Sequence, residues 1–222
     1  MQNLFDFDEE HRKKHGIIVG CDEAGRGPLA GPVVAAAVIL SGNEDLPNLN
    51  DSKKIKEDTR EKLFDEIYRQ AVAVGFYCVT PKEIDEMNIL NASLYAMYKS
   101  LAALKNSSGI TPSWNRVLID GNKYIKQIPQ NLQETVVKGD AKSASIAAAS
   151  IIAKVTRDRI MCEYAKEYPD FGFEKHKGYP TKAHYEAIEK FGVLPIHRAS
   201  FLKGIISAST IPVAKPQQLS IF

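Results

Sequence analysis

The sequence predicts an α/β fold: a mixed β-sheet flanked by helices, with a small helical C-terminal portion. Three observations carry this reading. Short apolar runs closed by glycine, proline or an acid recur between Ile17 and Val137. Two longer stretches, one with a Leu/Met stripe and one rich in alanine, can cover a sheet. Strands come first and helices are interleaved later, which places helices on both faces of a mixed sheet.

Residues 1–15 are charged and read as a flexible N-terminal segment. Ile17 to Cys21 reads as a buried strand and Pro32 to Leu40 as its neighbour, with a Gly/Pro turn between them. Two consecutive apolar strands joined by a short link predict an antiparallel pair. A polar loop with Asp51-Ser52-Lys53-Lys54 leads into a helix from Glu57 to Arg69, and Val72 to Val79 follows as a third strand. Leu90, Leu94, Met97, Leu101 and Leu104 recur at spacings of four, three, four and three, the pattern of an amphipathic helix packed on the sheet. Arg116 to Asp120 is a short strand ending in a carboxylate and closed by Gly121. Leu132 to Val137 is another, followed by Lys138-Gly139-Asp140. The stretch Ser143 to Lys166 is alanine-rich at its start and predicts a helix lying close against the sheet. A last helix runs from Lys182 to Phe191. The division that follows is a body over 16–167, a helical portion over 168–206 and a flexible tail over 207–222 that contains two prolines and no acid.

At 222 residues the chain fits one substantial domain. The net charge of +2 announces no nucleic-acid binder, so any attraction to phosphate must be local. Lys53-Lys54-Ile55-Lys56, Lys123 with Lys126, and Lys175-His176-Lys177 are the candidate patches. Three scattered cysteines, Cys21, Cys78 and Cys162, argue against a disulfide framework and against a cysteine-based zinc site, and for a reducing cytoplasm. No export signal and no membrane span is expected.

The chemistry is concentrated in Asp22-Glu23-Ala24-Gly25-Arg26-Gly27. Two carboxylates at the end of a buried strand call for a cation. The glycines allow close approach to a ligand beside the permanent charge of Arg26. Asp120 and Asp140 share this context of a strand end or helix start next to glycine. Four oxygen donors without a His/Cys set favour Mg²⁺ or Mn²⁺ over zinc, and His176, His184 and His197 are scattered in sequence and read as surface or packing residues. Adjacent residues of a pleated strand point to opposite faces, so the chain is expected to leave the pleat at Glu23. Asp140 could instead serve the N-terminus of the following helix. Asp158 is expected to pair with a neighbouring arginine. The residues alone point to a metal-dependent enzyme of phosphate chemistry.

Six blocks resemble bacterial ribonuclease HII, in that family's order, between residues 16 and 204: Gly20–Pro28, Leu49–Lys54, Val117–Asn122, Val137–Asp140, Ala148–Asp158 and His176–Thr181. The resemblance implies an RNase H-like sheet and an endonuclease that cuts RNA in RNA–DNA hybrids and at single ribonucleotides embedded in duplex DNA. It implies that Asp22, Glu23, Asp120 and Asp140 bind the metal ions. By the same resemblance Gly25, Arg26 and Gly27 sense the ribose, and Tyr179 stacks on the adjacent sugar. Two divalent ions answer the resistance of phosphodiesters to hydrolysis. Asp22 is assigned to bridge them, and the expected products carry a 5′-phosphate and a 3′-hydroxyl. A rival is a type HIII-like activity restricted to longer RNA tracts; another is a non-catalytic nucleic-acid-binding module. The end of the chain, Gln218-Leu219-Ser220-Ile221-Phe222, resembles the short motif by which bacterial replication proteins bind the sliding clamp, with Gln218, Leu219, Ile221 and Phe222 as the contact residues.

Overall fold

The apolar runs form five strands: β1 (Ile18–Ala24), β2 (Val33–Ile39), β3 (Ala73–Val79), β4 (Arg116–Asp120) and β5 (Gln133–Val136). They make one sheet in the order β3-β2-β1-β4-β5, in a computed structural model that describes residues 3–53 and 55–203. β1–β2 and β2–β3 are antiparallel, whereas β1–β4 and β4–β5 are parallel, so the expected mixed sheet and its first antiparallel pair are present. The helices are α1 (Leu4–His15), α2 (Glu57–Gln70), α3 (Pro81–Met87), α4 (Ile89–Ala102), α5 (Ala144–Glu167), α6 (Phe173–His176), α7 (Lys182–Phe191) and α8 (Ala199–Leu202).

Alternation along β1 and β2 divides the core. Val19, Cys21, Ala35 and Ala37 pack with Met97 and Leu101 of α4. On the other face Ala36 and Val38 pack with the alanines of α5 and with Leu63 and Ile67 of α2. The alanines let α5 lie close, and Gly20 completes the approach: a Cβ there would stand 2.1 Å from the Ser145 carbonyl carbon. Burial on both faces explains why β2 has no polar alternation to read.

Two local expectations are corrected. Residues 1–15, expected to be flexible, are helical over Leu4–His15. Asn3 and Asp6 form a capping box, and buried Asp8 fastens the helix to the body. Asp8 accepts from Ser143 Oγ at 2.5 Å, Ser145 N at 2.8 Å and Ser145 Oγ at 2.6 Å. A carboxylate from α1 thus meets the N-terminus of α5, the role the sequence left open for Asp140. Helix α3 was not anticipated, although Thr80, Pro81 and Glu83 spell a capping box with proline at the first helical position.

Beyond α5 the chain builds a small helical portion around Phe171, Phe173, Ile188 and Leu194. The histidines read as scattered meet inside it. The Leu194 N–H donates to His197 Nδ1 at 2.9 Å, which leaves the proton of that ring on Nε2, 3.1 Å from His184 Nε2. The proton of His184 then lies on Nδ1, 3.0 Å from the Tyr179 carbonyl it donates to. His176 stacks on His184 with ring centroids 4.5 Å apart. Burial lowers the pKa of His184 and of His197 to about 4, with the neighbouring ring adding to the effect at His197. Unfolded rings bind protons from about pH 6.5 downward while the folded ones stay neutral. Their contribution to stability is therefore intact above about pH 6.5 and lost as the pH falls toward 4. Ring-proton NMR signals of both residues are expected to titrate near pH 4; midpoints near 6.5 would contradict this packing.

Candidate active site

β1 remains paired through Ala24, with Asp22 opposite Ala36 and Glu23 opposite Ala35. The chain does not leave the pleat at Glu23, as the sequence reading required. Asp22 shares the α5 face with Gly20, and Glu23 shares the α4 face with Cys21. The two carboxylates flank the strand end and line one groove from opposite faces. Ile119 of β4 is the partner of Cys21, so Asp120, one residue on, lies level with Asp22 and on its face. Asp140 follows β5 in a 3₁₀ turn over Gly139–Ala141, and the Gly139 N–H donates to Asp120 Oδ1 at 2.7 Å.

The charges of these acids act on one another. Burial, followed by the charges of Glu23 and Asp120, pushes Asp22 well above the usual carboxylate range. Burial and then Asp120 and Asp51 raise Asp140, and burial raises Glu23 against the pull of Arg26. Lys53 is disfavoured by burial, yet Asp22, Asp140, Asp51 and Asp120 together raise its pKa and hold it charged. Asp22 Oδ1 accepts from the Glu23 N–H at 2.7 Å, and Arg26 reaches Glu23 Oε1 at 3.3 Å. Among the described residues no three His, Cys, Asp or Glu side chains stand in a geometry that could hold an ion. The donor chemistry nevertheless suits a hard cation, because the acids are all oxygen donors that raise one another's pKa. No second protein donor, among the described residues, reaches the other oxygen of Asp22 or of Asp120.

Asp22, Glu23, Gly25, Arg26, Gly27, Asp120 and Tyr179 line one groove of about 300 Å³, open to solvent. The structure therefore brings Asp22, Glu23 and Asp120 into one groove with the sequence-derived substrate residues, whereas Asp140 is not part of that lining and adjoins it through the turn whose Gly139 N–H donates to Asp120. Tyr179 is 40% exposed and approaches Gly27, where an added Cβ would lie 3.6 Å from its Cε1 atom.

Residues 19–203 match the ribonuclease HII family. The chain is 54% identical to the ribonuclease HII of Acetivibrio thermocellus over 199 residues, covering 89% of this chain and 74% of that one. The chain belongs to the ribonuclease HII family. The ribonuclease H2 of Pyrococcus horikoshii OT3 is similar in structure, with a TM-score of 0.66 and 31% identity over 83% of this chain and 93% of that one. The ribonuclease HII in a PCNA complex from Archaeoglobus fulgidus gives 0.64 and 25% over 82% and 94%. Family membership makes the protein a metal-dependent endoribonuclease acting on RNA–DNA hybrids.

This ribonuclease HII family member also has groove residues that sequence reasoning had not placed at the site, Lys53 having been read only as part of a basic patch. Ser52, Lys53, Ser150 and Lys154 line the same groove. Ser150 Oγ donates to Ser52 Oγ at 2.7 Å, which ties the Asp51–Lys53 loop to α5. Lys154 pairs with Asp158 at 2.7 Å, so the expected arginine partner of Asp158 is corrected to a lysine one helical turn away. The position of Ser52, Lys53, Ser150 and Lys154 inside the resembling blocks Leu49–Lys54 and Ala148–Asp158 was the available signal. Gln218, Leu219, Ile221 and Phe222 lie outside the described residues. No helix among the described residues is long and apolar enough to cross a membrane.

Proposed function

We propose that this enzyme cleaves both RNA–DNA hybrids and duplex DNA carrying a single ribonucleotide, leaving 5′-phosphate and 3′-hydroxyl ends. The observation that carries the reading is one groove in which a carboxylate set adjoins a glycine loop and an exposed tyrosine. Asp22, Glu23, Asp120 and Asp140 would hold Mg²⁺ or Mn²⁺. When bound, paired divalent cations supply Lewis-acid chemistry at the attacking and the departing oxygen of a phosphodiester. Asp22, the most buried of the four and level with Asp120 on the same face, would contribute to both. The Gly25–Gly27 backbone reads the 2′-hydroxyl, the group that separates RNA from DNA. Arg26, 53% exposed at its side chain, neutralises an adjacent phosphate. Tyr179 packs on the next sugar and crowds a 2′-hydroxyl there, which selects the ribo-to-deoxy junction. This activity suits ribonucleotide removal during DNA replication and repair by a cytoplasmic monomer.

A labelled duplex with one ribonucleotide tests the reading, assayed with Mg²⁺, with Mn²⁺ and with chelator. Cutting at the ribonucleotide in the presence of either ion, and none in chelator, is expected. Cutting of long hybrids alone would favour the type HIII-like reading, and binding without cutting a non-catalytic module. The end of the chain, Gln218–Phe222, is further proposed to tether the enzyme to a sliding clamp, which would raise its local concentration on new DNA. Its archaeal structural neighbour was solved in complex with PCNA. Equal clamp capture by the full chain and by one ending at Lys215 would sink the tether.

A further inference from the structure

Two arginines are buried beneath the groove with no carboxylate in ion-pair contact among the described residues: Arg157 on α5, 1% exposed, and Arg198 before α8, 0% exposed. Burying a charge in this way is costly unless every donor is satisfied. Here backbone carbonyls satisfy them. Arg198 donates to Gly25 O at 2.7 Å, to Arg26 O at 3.1 Å and twice to Gly31 O, at 2.9 and 3.0 Å. Arg157 donates to Pro32 O at 2.9 Å, Ala30 O at 3.1 Å and Lys177 O at 3.0 Å, and lies 5.8 Å from the Tyr179 ring centroid. Burial lowers Arg157 to about 10 and Arg198 to about 9, so both stay charged at neutral pH.

The bonds made by Arg198 have a geometric consequence. In a planar trans peptide the C=O of one residue and the N–H of the next point in opposite directions. Drawing the Gly25 and Arg26 carbonyls inward therefore turns the Arg26 and Gly27 N–H groups outward. Both residues are exposed, and neither amide has a protein acceptor among the described residues. Two adjacent donors thus face the groove next to Tyr179, a pair suited to one hydroxyl oxygen.

We propose that Arg198 is the positioning residue for sugar recognition: its guanidinium holds the Gly25–Gly27 loop with two amide donors aimed at the ribose. The inference rests on the reading of that loop as the 2′-hydroxyl sensor. Lysine at this position keeps the charge but replaces the planar fork, which spans three carbonyls, with a single ammonium. The effect should fall on discrimination rather than on affinity for DNA, because Arg26 and the surface lysines are untouched.

The test compares two duplexes that differ by one 2′-hydroxyl, one with a single ribonucleotide and one all DNA, bound in chelator so that no cutting occurs. Wild type is expected to prefer the ribonucleotide duplex by about tenfold, the value of one or two hydrogen bonds. Arg198→Lys should bind both within about twofold, with its affinity for all-DNA duplex unchanged. A wild type without preference overturns the loop reading and this inference with it. A wild type with preference, matched by a folded Arg198→Lys variant that keeps it, overturns the role of Arg198 alone. If the variant does not fold, hydrogen exchange in the wild type decides. The guanidinium protons of Arg198 should be protected like core amides, and exchange as fast as that of the exposed Arg26 side chain would overturn the proposal.

Discussion

Asp120→Asn is expected to abolish turnover while leaving the fold intact. Asparagine keeps an oxygen that can accept the Gly139 N–H, now 2.7 Å from Asp120 Oδ1, so the turn that presents Asp140 should persist. The substitution removes one negative charge from a set in which that charge raises Asp22 and Asp140. Stability at neutral pH should therefore hold or rise slightly, as happens when a strained functional cluster is relaxed. Turnover should fall by about a thousandfold or more, the scale of losing several kcal/mol of charge stabilisation in the transition state. Affinity for a ribonucleotide duplex should change little, since the glycine loop and Tyr179 remain. Steady-state cleavage and binding titrations on one preparation separate these effects. Residual turnover within tenfold of wild type would remove Asp120 from the reacting centre.

Much of this site was legible because strand ends announce themselves. In Arg116–Asp120 an apolar run stops at a carboxylate and a glycine, and the observed strand has those bounds. The same logic placed Asp22, and parallel pairing of β1 with β4 brings the two acids level. What the sequence hid are relations whose partner carries no signal. Asp8 looks like one more charge in a charged segment, and the serines that donate to it stand 135 and 137 positions away. Arg198 bonds only to backbone carbonyls, which every residue has, so no pairing pattern marks it. The misjudged turn at Glu23 came from assuming that two acids must share a face to share a site. At the end of a strand they can flank it.

Gly25→Ala and Gly27→Ala should separate strain from substrate clearance within one loop. Gly25 has φ of +96°, and a Cβ there would lie 2.1 Å from Arg157 Nε and 2.8 Å from the Pro32 carbonyl oxygen. Alanine must then break the Arg157–Pro32 bond or push the Gly25 carbonyl from Arg198. Either shift leaves a buried guanidinium short of an acceptor, so the cost should be about 3 kcal/mol. Cleavage of the one-ribonucleotide duplex should fall about a hundredfold, because the two outward amides move with the loop. Gly27 has no such constraint: its added Cβ meets only the Tyr179 ring edge, at 3.6 Å. Gly27→Ala should unfold within about 0.5 kcal/mol of wild type. Its methyl group would nevertheless project between Tyr179 and the loop, where a sugar must come close, so cleavage should still fall at least tenfold. Denaturant melts paired with cleavage rates resolve the two cases. Full activity in Gly27→Ala would place the ribose elsewhere, and an unperturbed melt for Gly25→Ala would mean that the guanidinium shell beneath the loop yields freely.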